Sequence, residues 1–385
     1  MKFIQKFFEN TKPYVQKGAK YQWLHSVHDG LFTLFFVQKN TSKSGTHIHD
    51  YLDLKRTMGL VVLALVPALL MGMYNTGYQH FAAVGELSAV SFGDIFLYGF
   101  IKVIPFVLVS YIIGLGIEFV FAQIRGHEIQ EGFLVTGMLI PLIMPITTPL
   151  WMVAVSTAFS VVFVKEVFGG TGMNIWNPAL VARAFLFFAY PSQMSGDSVW
   201  VSLDGKQAID GFSGATPMAQ AAAGNPAIDM WNSFIGLIPG SIGETSTLAI
   251  LIGAAILVIT GVGSWKIIVS TFAGGAAMAL ILNFFAGDNT YMQLSMWEHF
   301  VIGGFAFGAV FMATDPVSGT QTEKGKWIYG FLIGLLAIMI RVVNPAYPEG
   351  MMLAILLMNT FAPLVDHYIV EGSIKKRLKR AKIKA

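Results

Sequence analysis

Long apolar runs recur along this chain and constrain its fold more than any other feature. Ten such segments alternate with polar stretches: 58–74, 96–121, 133–146, 149–167, 178–190, 247–263, 266–285, 299–313, 327–343 and 350–368. A transmembrane helix needs about 20 mostly apolar residues, and in lipid its backbone polar groups are satisfied internally. With 55% hydrophobic and only 12% charged residues, the sequence predicts an all-α polytopic membrane protein of about ten transmembrane helices.

Three of these segments are too short for a full span: 133–146, 178–190 and 299–313. Prolines lie in or beside each of them, including Pro141 and Pro316. The short segments therefore predict broken or re-entrant helices. Irregular backbone of this kind persists in a membrane only where it is buried in protein or lines a cavity.

A weak internal repeat accompanies the short segments. Gly132–Phe133 is followed by Asn177–Pro178–Ala179 in the first half of the chain. Gly304–Phe305 is followed by Asn344–Pro345–Ala346 in the second half. Five predicted crossings separate the two copies, so they would face opposite sides of the membrane. The pattern predicts two inverted five-helix repeats, with which many transporters build a site at the membrane midplane.

Lysine and arginine are concentrated at the two ends of the chain, which predicts that both termini are cytoplasmic. The expected organisation is a basic segment at 1–56, a transmembrane domain at 57–370 and a basic tail at 371–385. Aromatic and basic residues near the start suit an amphipathic helix on the membrane surface. The polar segment 191–246 has Lys206 as its only basic residue, so it is expected on the extracytoplasmic side.

The stretch Asp210-Gly211-Phe212-Ser213-Gly214-Ala215-Thr216 lies in that outer segment. Gly211 and Gly214 permit a turn with positive φ, and the small residues leave room for a modifying enzyme to approach the Thr216 hydroxyl. Asp210 would help to hold a metal–phosphate substrate. Ser-Gly-Ala-Thr alone is compatible with an ordinary turn. The whole pattern resembles the sites at which a flavin transferase joins FMN to a threonine through a phosphoester.

Ionisable side chains within the apolar segments are informative, because each costs about 2.5–3.5 kcal/mol near the membrane centre. Glu118 and Asp366 lie within such segments, and Asp315 lies at the end of the broken segment 299–313. Carboxylate oxygens suit a hard cation such as sodium. The structural alternative is that these acids form ion pairs with basic residues of other segments, namely Lys102, Arg183 and Arg341.

Lys165 and Glu166 lie near the end of segment 149–167 and are expected to form an ion pair at the membrane interface. A glycine-rich stretch follows this segment. Asn174 and Asn177 are three residues apart and can face the same way. Their amides supply donors and acceptors that match the edge of an isoalloxazine ring or the hydroxyls of a ribityl chain. Without any ligand, Asn177 would still cap a helix that begins at Pro178.

Two absences in the sequence limit the chemistry of the chain. There is no cysteine, so a thiolate-bound iron–sulfur cluster would have to belong to a partner. There is also no G-x-G-x-x-G motif between a strand and a helix, so the sequence shows no fingerprint of a dinucleotide-binding site.

Four motifs together resemble one family over nearly the whole chain. They are D-G-F-S-G-A-T at 210–216, F-G-G-T-G-M-N-I-W-N-P-A-L at 168–180, R-A-F-L-F-F-A-Y-P at 183–191 and R-V-V-N-P-A-Y-P-E-G-M-M at 341–352. The family is the B-type membrane subunit of the bacterial sodium-translocating NADH:quinone oxidoreductase. The resemblance implies a translocase component in the bacterial inner membrane that passes electrons from covalent FMN through riboflavin to quinone.

The resemblance also implies roles for individual residues. Thr216 would carry FMN, flanked by Asp210, Ser213, Gly214 and Ala215. Asn174 and Asn177 would hold riboflavin non-covalently, and Gly114 would lie near the quinone. The sodium path would include Glu118, Asp315 and Asp366. Pro217 departs from the expected pattern and would stiffen the turn without blocking flavin attachment.

The partners implied by the resemblance are an NADH-oxidising flavin and iron–sulfur subunit, a second FMN subunit and a periplasmic flavin transferase. Two alternatives remain open at this point. One is the related D-type membrane subunit of an Rnf-type ferredoxin:NAD oxidoreductase, although the basic, aromatic N-terminal segment favours the quinone reductase. The other is a non-redox secondary transporter whose inverted repeat holds a small solute.

Overall fold

All regular structure in the described part of the chain is helical. The computed structural model describes residues 2–15, 28, 32, 36, 45, 54–126, 132–224, 228–287, 289–344 and 350–384. In chain order the helices are α1 (Lys2–Val15), α2 (Leu54–Val84), α3 (Phe92–Arg125), α4 (Phe133–Leu142), α5 (Leu150–Ser160), α6 (Pro178–Ala189), α7 (Pro191–Met194), α8 (Pro217–Ala222), α9 (Met230–Ile235), α10 (Thr247–Ile259), α11 (Trp265–Phe285), α12 (Met296–Val301), α13 (Phe305–Phe307), α14 (Glu323–Val343) and α15 (Met351–Lys384).

Five of the described helices are long and apolar enough to cross a membrane: α2, α3, α11, α14 and α15. Helices α4, α6 and α10 are apolar but shorter. Each of the ten apolar segments contains helix at the expected place. The prediction of an all-α, multi-pass membrane protein is therefore confirmed at this level. Helix α15 continues from its apolar part through the basic tail.

The predicted breaks in the short helices have distinct local causes. Helix α4 ends just after Pro141, and the non-helical residues that follow are fully buried at Ile143 and Met144. Helices α12 and α13 are separated by a turn in which Gly303 and Gly304 have φ of +64° and +65°. Because these irregular stretches are enclosed by other helices, their backbone polar groups are kept away from lipid.

Two helices continue directly into π-helical turns. The turn Val161–Glu166 follows α5, and the turn Gly308–Met312 follows α13. All five residues of the second turn are buried. Such turns are rare and often occur at functional sites.

Helices α11 and α14 pack with their backbones in contact. A Cβ atom added to Gly274 would lie 1.9 Å from the carbonyl oxygen of Phe331, and one added to Gly334 would lie 1.9 Å from that of Thr271. Small residues at such crossings allow the close approach by which membrane helices associate. This pair supports one side of the central core.

Segment 191–246, which the sequence predicts to lie outside (the outer segment), is attached to the end of α2 and to the first part of α3. The Tyr98 hydroxyl and the Lys102 ammonium both donate to Asp204, each at 2.6 Å, and Asp204 has the left-handed φ of +52°. Partial burial alone would raise the pKa of Asp204, but hydrogen bonds from Lys102, Tyr98 and Ser202 outweigh it and hold the pKa at about 2. The contact is therefore lost only as the pH falls towards about 2.

Some predictions concern residues outside the described part. Most of segment 1–56 is among them, although α1 forms a helix as predicted. Pro345 and Ala346 of the second repeat copy also lie outside the described residues.

Candidate functional site

Thr216 lies at the start of a short helix in the outer segment. Its Oγ1 accepts a hydrogen bond from the Ala219 N–H at 3.2 Å, and Pro217 occupies the first position of α8. Proline is well suited to that position because its φ is already helical. Pro217 thus fixes the first turn behind the hydroxyl, as the sequence predicted.

The residues before Thr216 adopt a turn that was predicted only in part. Gly211 has the expected positive φ, +84°. Gly214, which also permits a positive φ, does not adopt one. A Cβ on Gly214 would lie 2.3 Å from the Asp197 carbonyl oxygen, so the small residue is needed for packing within the chain. Asp210 and Ser213 are exposed, whereas Ala215 is buried.

An outer cavity of about 220 Å³ begins at Thr216. Its lining includes Trp200, Met194 and Glu244. Glu244 forms a buried ion pair with Arg183 of α6, with 3.0 Å between Oε2 and Nη1. The sequence did not predict this pair, because the two residues are distant along the chain. The cavity lining combines the hydroxyls of Ser195, Thr216, Ser241 and Thr245 with two carboxylates, of which Glu244 is neutralised by Arg183, and a largely apolar wall.

A second, inner cavity of about 80 Å³ collects several of the predicted residues. Asn174, Asn177 and Asp315 line it together with Lys165. Four threonines add hydroxyl groups to the lining: Thr57, Thr136, Thr171 and Thr314. Residues from both halves of the chain are thus brought together at one polar site.

Asn177 connects a helix cap to the carboxylate in this cavity. Its Oδ1 accepts from the N–H groups of Ala179 and Leu180, at 3.0 and 3.4 Å, so it caps α6. Its Nδ2 donates to Asp315 Oδ2 at 3.4 Å. Asp315 also accepts from the Ser318 hydroxyl at 2.7 Å. The amide of Asn177 therefore caps α6 with its oxygen and contacts the Asp315 carboxylate with its nitrogen.

Glu118 of α3 forms a buried ion pair with Lys165, whose side chain is only 4% exposed. The predicted interfacial pair between Lys165 and Glu166 is wrong. Glu166 instead pairs with Arg125 at 3.1 Å. Lys165 and Glu166 therefore each pair with a residue of α3 and not with each other. The π-helical turn directs both consecutive side chains towards α3, and the sequence does not display that turn.

Asp366 has a different environment from the other two acids. Its carboxylate accepts from the N–H groups of Gln321 and Thr322 at 2.8 and 3.0 Å, and from the Thr322 hydroxyl at 2.5 Å. Thr322 is the N-cap of α14. Asp366 thus fixes the start of that helix, and it does not line either cavity described above.

None of the three acids pairs with the basic residues that were considered as alternatives, in the part of the chain that the structure describes. Lys102 binds Asp204 and Arg183 binds Glu244. Arg341 donates to the carbonyl oxygens of His299 and Ile302, at 2.8 and 3.2 Å. Glu118 does form an ion pair, as the structural alternative supposed, but its partner is Lys165 and none of the three residues considered.

Gly114 faces the ring of Phe133. A Cβ added to Gly114 would lie 1.8 Å from Phe133 Cζ, so no larger residue fits without displacing the ring. The Lys165 ammonium lies 5.8 Å from the centre of the same ring. Gly114 is thereby linked to the Glu118–Lys165 pair through Phe133.

Comparison with known proteins identifies relatives over nearly the full length. The model of the NQR2, RnfD, RnfE family matches residues 41–375. The B-type subunit of a Na(+)-translocating NADH-quinone reductase from Chromohalobacter salexigens is 46% identical, with 98% of this chain and 96% of the relative covered. The protein of the same name from Ectopseudomonas mendocina is 46% identical over 98% and 99% of the two chains.

Proposed function

This chain belongs to the NQR2, RnfD, RnfE family, and we propose that it is the B-type membrane subunit of a sodium-translocating NADH:quinone oxidoreductase. The observation that carries the proposal is the near full-length similarity to relatives of that name. The separate cavities at Thr216 and at Asn177–Asp315 support it. NADH oxidation would take place on a partner subunit.

We propose ten crossings with both termini in the cytoplasm and segment 191–246 outside. The Arg125 end of α3 contacts the Glu166 end of the π-helical turn, which suits two helix ends on the same side. The proposed repeats are α2–α6 and α10–α15. The third crossing of each is interrupted, at α4 and at the α12–α13 turn respectively, which supports the inverted arrangement.

The chain has no native cysteine, so single cysteines test this topology directly. Gln207 and Lys324 are both exposed, on the proposed outer and inner sides. We expect an impermeant thiol reagent to label Gln207→Cys in intact cells, and to label Lys324→Cys only after the membrane is opened. The reverse pattern would contradict the proposed orientation, in which both termini are cytoplasmic and segment 191–246 is outside.

Thr216 has the chemistry and position needed for covalent FMN. Its side chain is partly exposed in the outer cavity, at a turn fixed by Pro217. Asp210 and Ser213 lie on the exposed side, where a periplasmic flavin transferase would approach. Bound FMN would supply one-electron redox chemistry, while this chain's residues position it and exclude water.

The donors of the inner cavity fit the polar part of riboflavin. Asn174, Asn177 and the threonine hydroxyls match the hydroxyls and ring edge of a flavin. The cavity volume of about 80 Å³ is below the roughly 300 Å³ at which ligand pockets usually begin. We therefore propose that the cavity receives the polar groups and that the ring system extends beyond it.

The sodium path is proposed to include Glu118, Asp315 and Asp366, with quinone reduced near Gly114. Asp315 is placed in the inner cavity beside neutral oxygen donors, which is the ligand type that a hard cation prefers. Glu118 is connected to the inner cavity through Lys165, which contacts Glu118 and also lines the cavity. Asp366 would act near the inner end of the path, while also holding α14.

The test of this function uses the purified complex in sealed vesicles. We expect NADH oxidation with quinone to drive ²²Na⁺ uptake that persists when a protonophore abolishes the proton gradient. Sodium or solute uptake without any dependence on electron transfer would favour the secondary transporter. Electron transfer from reduced ferredoxin to NAD, without quinone, would favour the Rnf-type alternative.

A further inference from the structure

The buried ion pair between Glu118 and Lys165 connects α3 to the π-helical turn after α5. The exposed fractions of the two side chains are 5% and 4%. An isolated charge in such surroundings is strongly unfavourable, so each group is retained because the other neutralises it.

Lys165 also shares the inner cavity with a second carboxylate. Its side chain lines the inner cavity together with Asp315, while its ammonium contacts Glu118. Lysine carries a compact charge on a flexible stem of four carbons. The ammonium can therefore move from one carboxylate towards the other without changing the total charge of the region.

The neighbouring pair has a different function in the same turn. Arg125 Nη2 donates to the backbone oxygen of Glu166 at 2.6 Å, and its Nη1 contacts the Glu166 carboxylate at 3.1 Å. This double contact fastens the π-helical turn to α3. Neither Arg125 nor Glu166 lines the inner cavity, so Lys165 is the charged residue of the turn that reaches it.

We propose that Lys165 is a tethered competitor of sodium. Its ammonium occupies the cation position at Glu118, and arriving sodium displaces it towards Asp315. The two cations carry the same charge and bind the same carboxylate oxygens, so the exchange leaves no carboxylate unpaired. The inference rests on the proposed function, in which Glu118 and Asp315 lie on the sodium path.

Equilibrium binding of ²²Na⁺ to the purified complex, without turnover, tests the competition. We expect Lys165→Met to lower the half-saturating sodium concentration by about tenfold or more, because the competing charge is gone. Lys165→Arg keeps the charge and should not lower it. Glu166→Gln, the matched control in the adjacent pair, should leave it near the wild-type value.

An unchanged or higher half-saturating concentration in Lys165→Met would overturn the inference and leave the pair as a structural contact. The proposed function would survive that result, because wild-type sodium binding would remain. No sodium binding by the wild-type complex would overturn both.

A measurement on the wild-type chain covers the case in which Lys165→Met does not assemble. Dicyclohexylcarbodiimide, an apolar coupling reagent, should join Glu118 to Lys165 as an amide that mass spectrometry detects in the digested chain. We expect saturating sodium to reduce this cross-link several-fold relative to potassium at the same concentration. Equal cross-linking in the two salts would show that sodium does not displace the ammonium, and would overturn the proposal.

Discussion

We expect Thr216→Ala to remove all covalently bound flavin from this chain while the chain still folds and inserts. The phosphoester requires a hydroxyl oxygen, and alanine has none. The substitution also removes the N-cap of α8, which costs about 0.5–2 kcal/mol. That cost falls on a six-residue helix of the outer segment and does not affect the membrane-spanning core. Flavin fluorescence of the chain on a denaturing gel, together with its intact mass, measures the effect.

Two control variants separate the hydroxyl from the local structure. Thr216→Ser keeps both the oxygen and the cap, so it should retain part or all of the modification. Ser195→Ala removes another hydroxyl that lines the same cavity but lies outside the motif, and should leave the flavin in place. Fluorescent Thr216→Ala protein, or a loss confined to Ser195→Ala, would place the attachment elsewhere.

Without FMN at Thr216, electrons would have no entry from the outer side. We therefore expect NADH oxidation with quinone to stop in the Thr216→Ala complex, while flavins on the partner subunits are still reduced. A stalled reduction of this kind differs from the general loss of activity that misfolding produces.

Local patterns were sufficient for the helices and for parts of the site. Each of the ten apolar runs contains helix where it was predicted, because burial in lipid requires a continuous apolar stretch, whereas the short helices α7, α8 and α9 of the polar segment were not predicted. The cap at Asn177 and the break at Pro141 also followed from adjacent residues. These features depend on groups a few positions apart, which a sequence displays directly.

Tertiary partners could not be predicted in the same way. Glu118 has no basic neighbour within a turn on its own helix, and its partner Lys165 is 47 positions away. The π-helical turn that directs Lys165 inwards leaves no recognisable sequence pattern. Gly214 was interpreted as leaving room for a modifying enzyme, whereas in the structure its small size accommodates the Asp197 carbonyl oxygen of the same chain. Opposite charges in two apolar segments are the one signal that would have suggested the Glu118–Lys165 pair.

We expect Asn177→Ala to reduce both the stability of the chain and its content of non-covalent flavin. The loss of the cap on α6 should lower the free energy of unfolding by about 1 kcal/mol. The loss of the amide leaves flavin donors and acceptors without a partner, which costs about 1–3 kcal/mol, or roughly fivefold to 150-fold in affinity. Thermal unfolding and the riboflavin released on denaturation, per mole of chain, measure the two effects.

Two further variants assign each effect to its cause. Asn177→Ser restores an oxygen that can cap α6 but cannot reach the flavin or Asp315 as the amide does, so stability should recover while riboflavin stays low. Asn174→Ala leaves the cap intact and removes an amide whose Nδ2 donates to the Trp176 carbonyl at 2.9 Å. It should lower riboflavin with little change in the unfolding temperature. If Asn177→Ser restores riboflavin together with stability, Asn177 acts only as a cap, and the flavin must be held by other groups of the inner cavity.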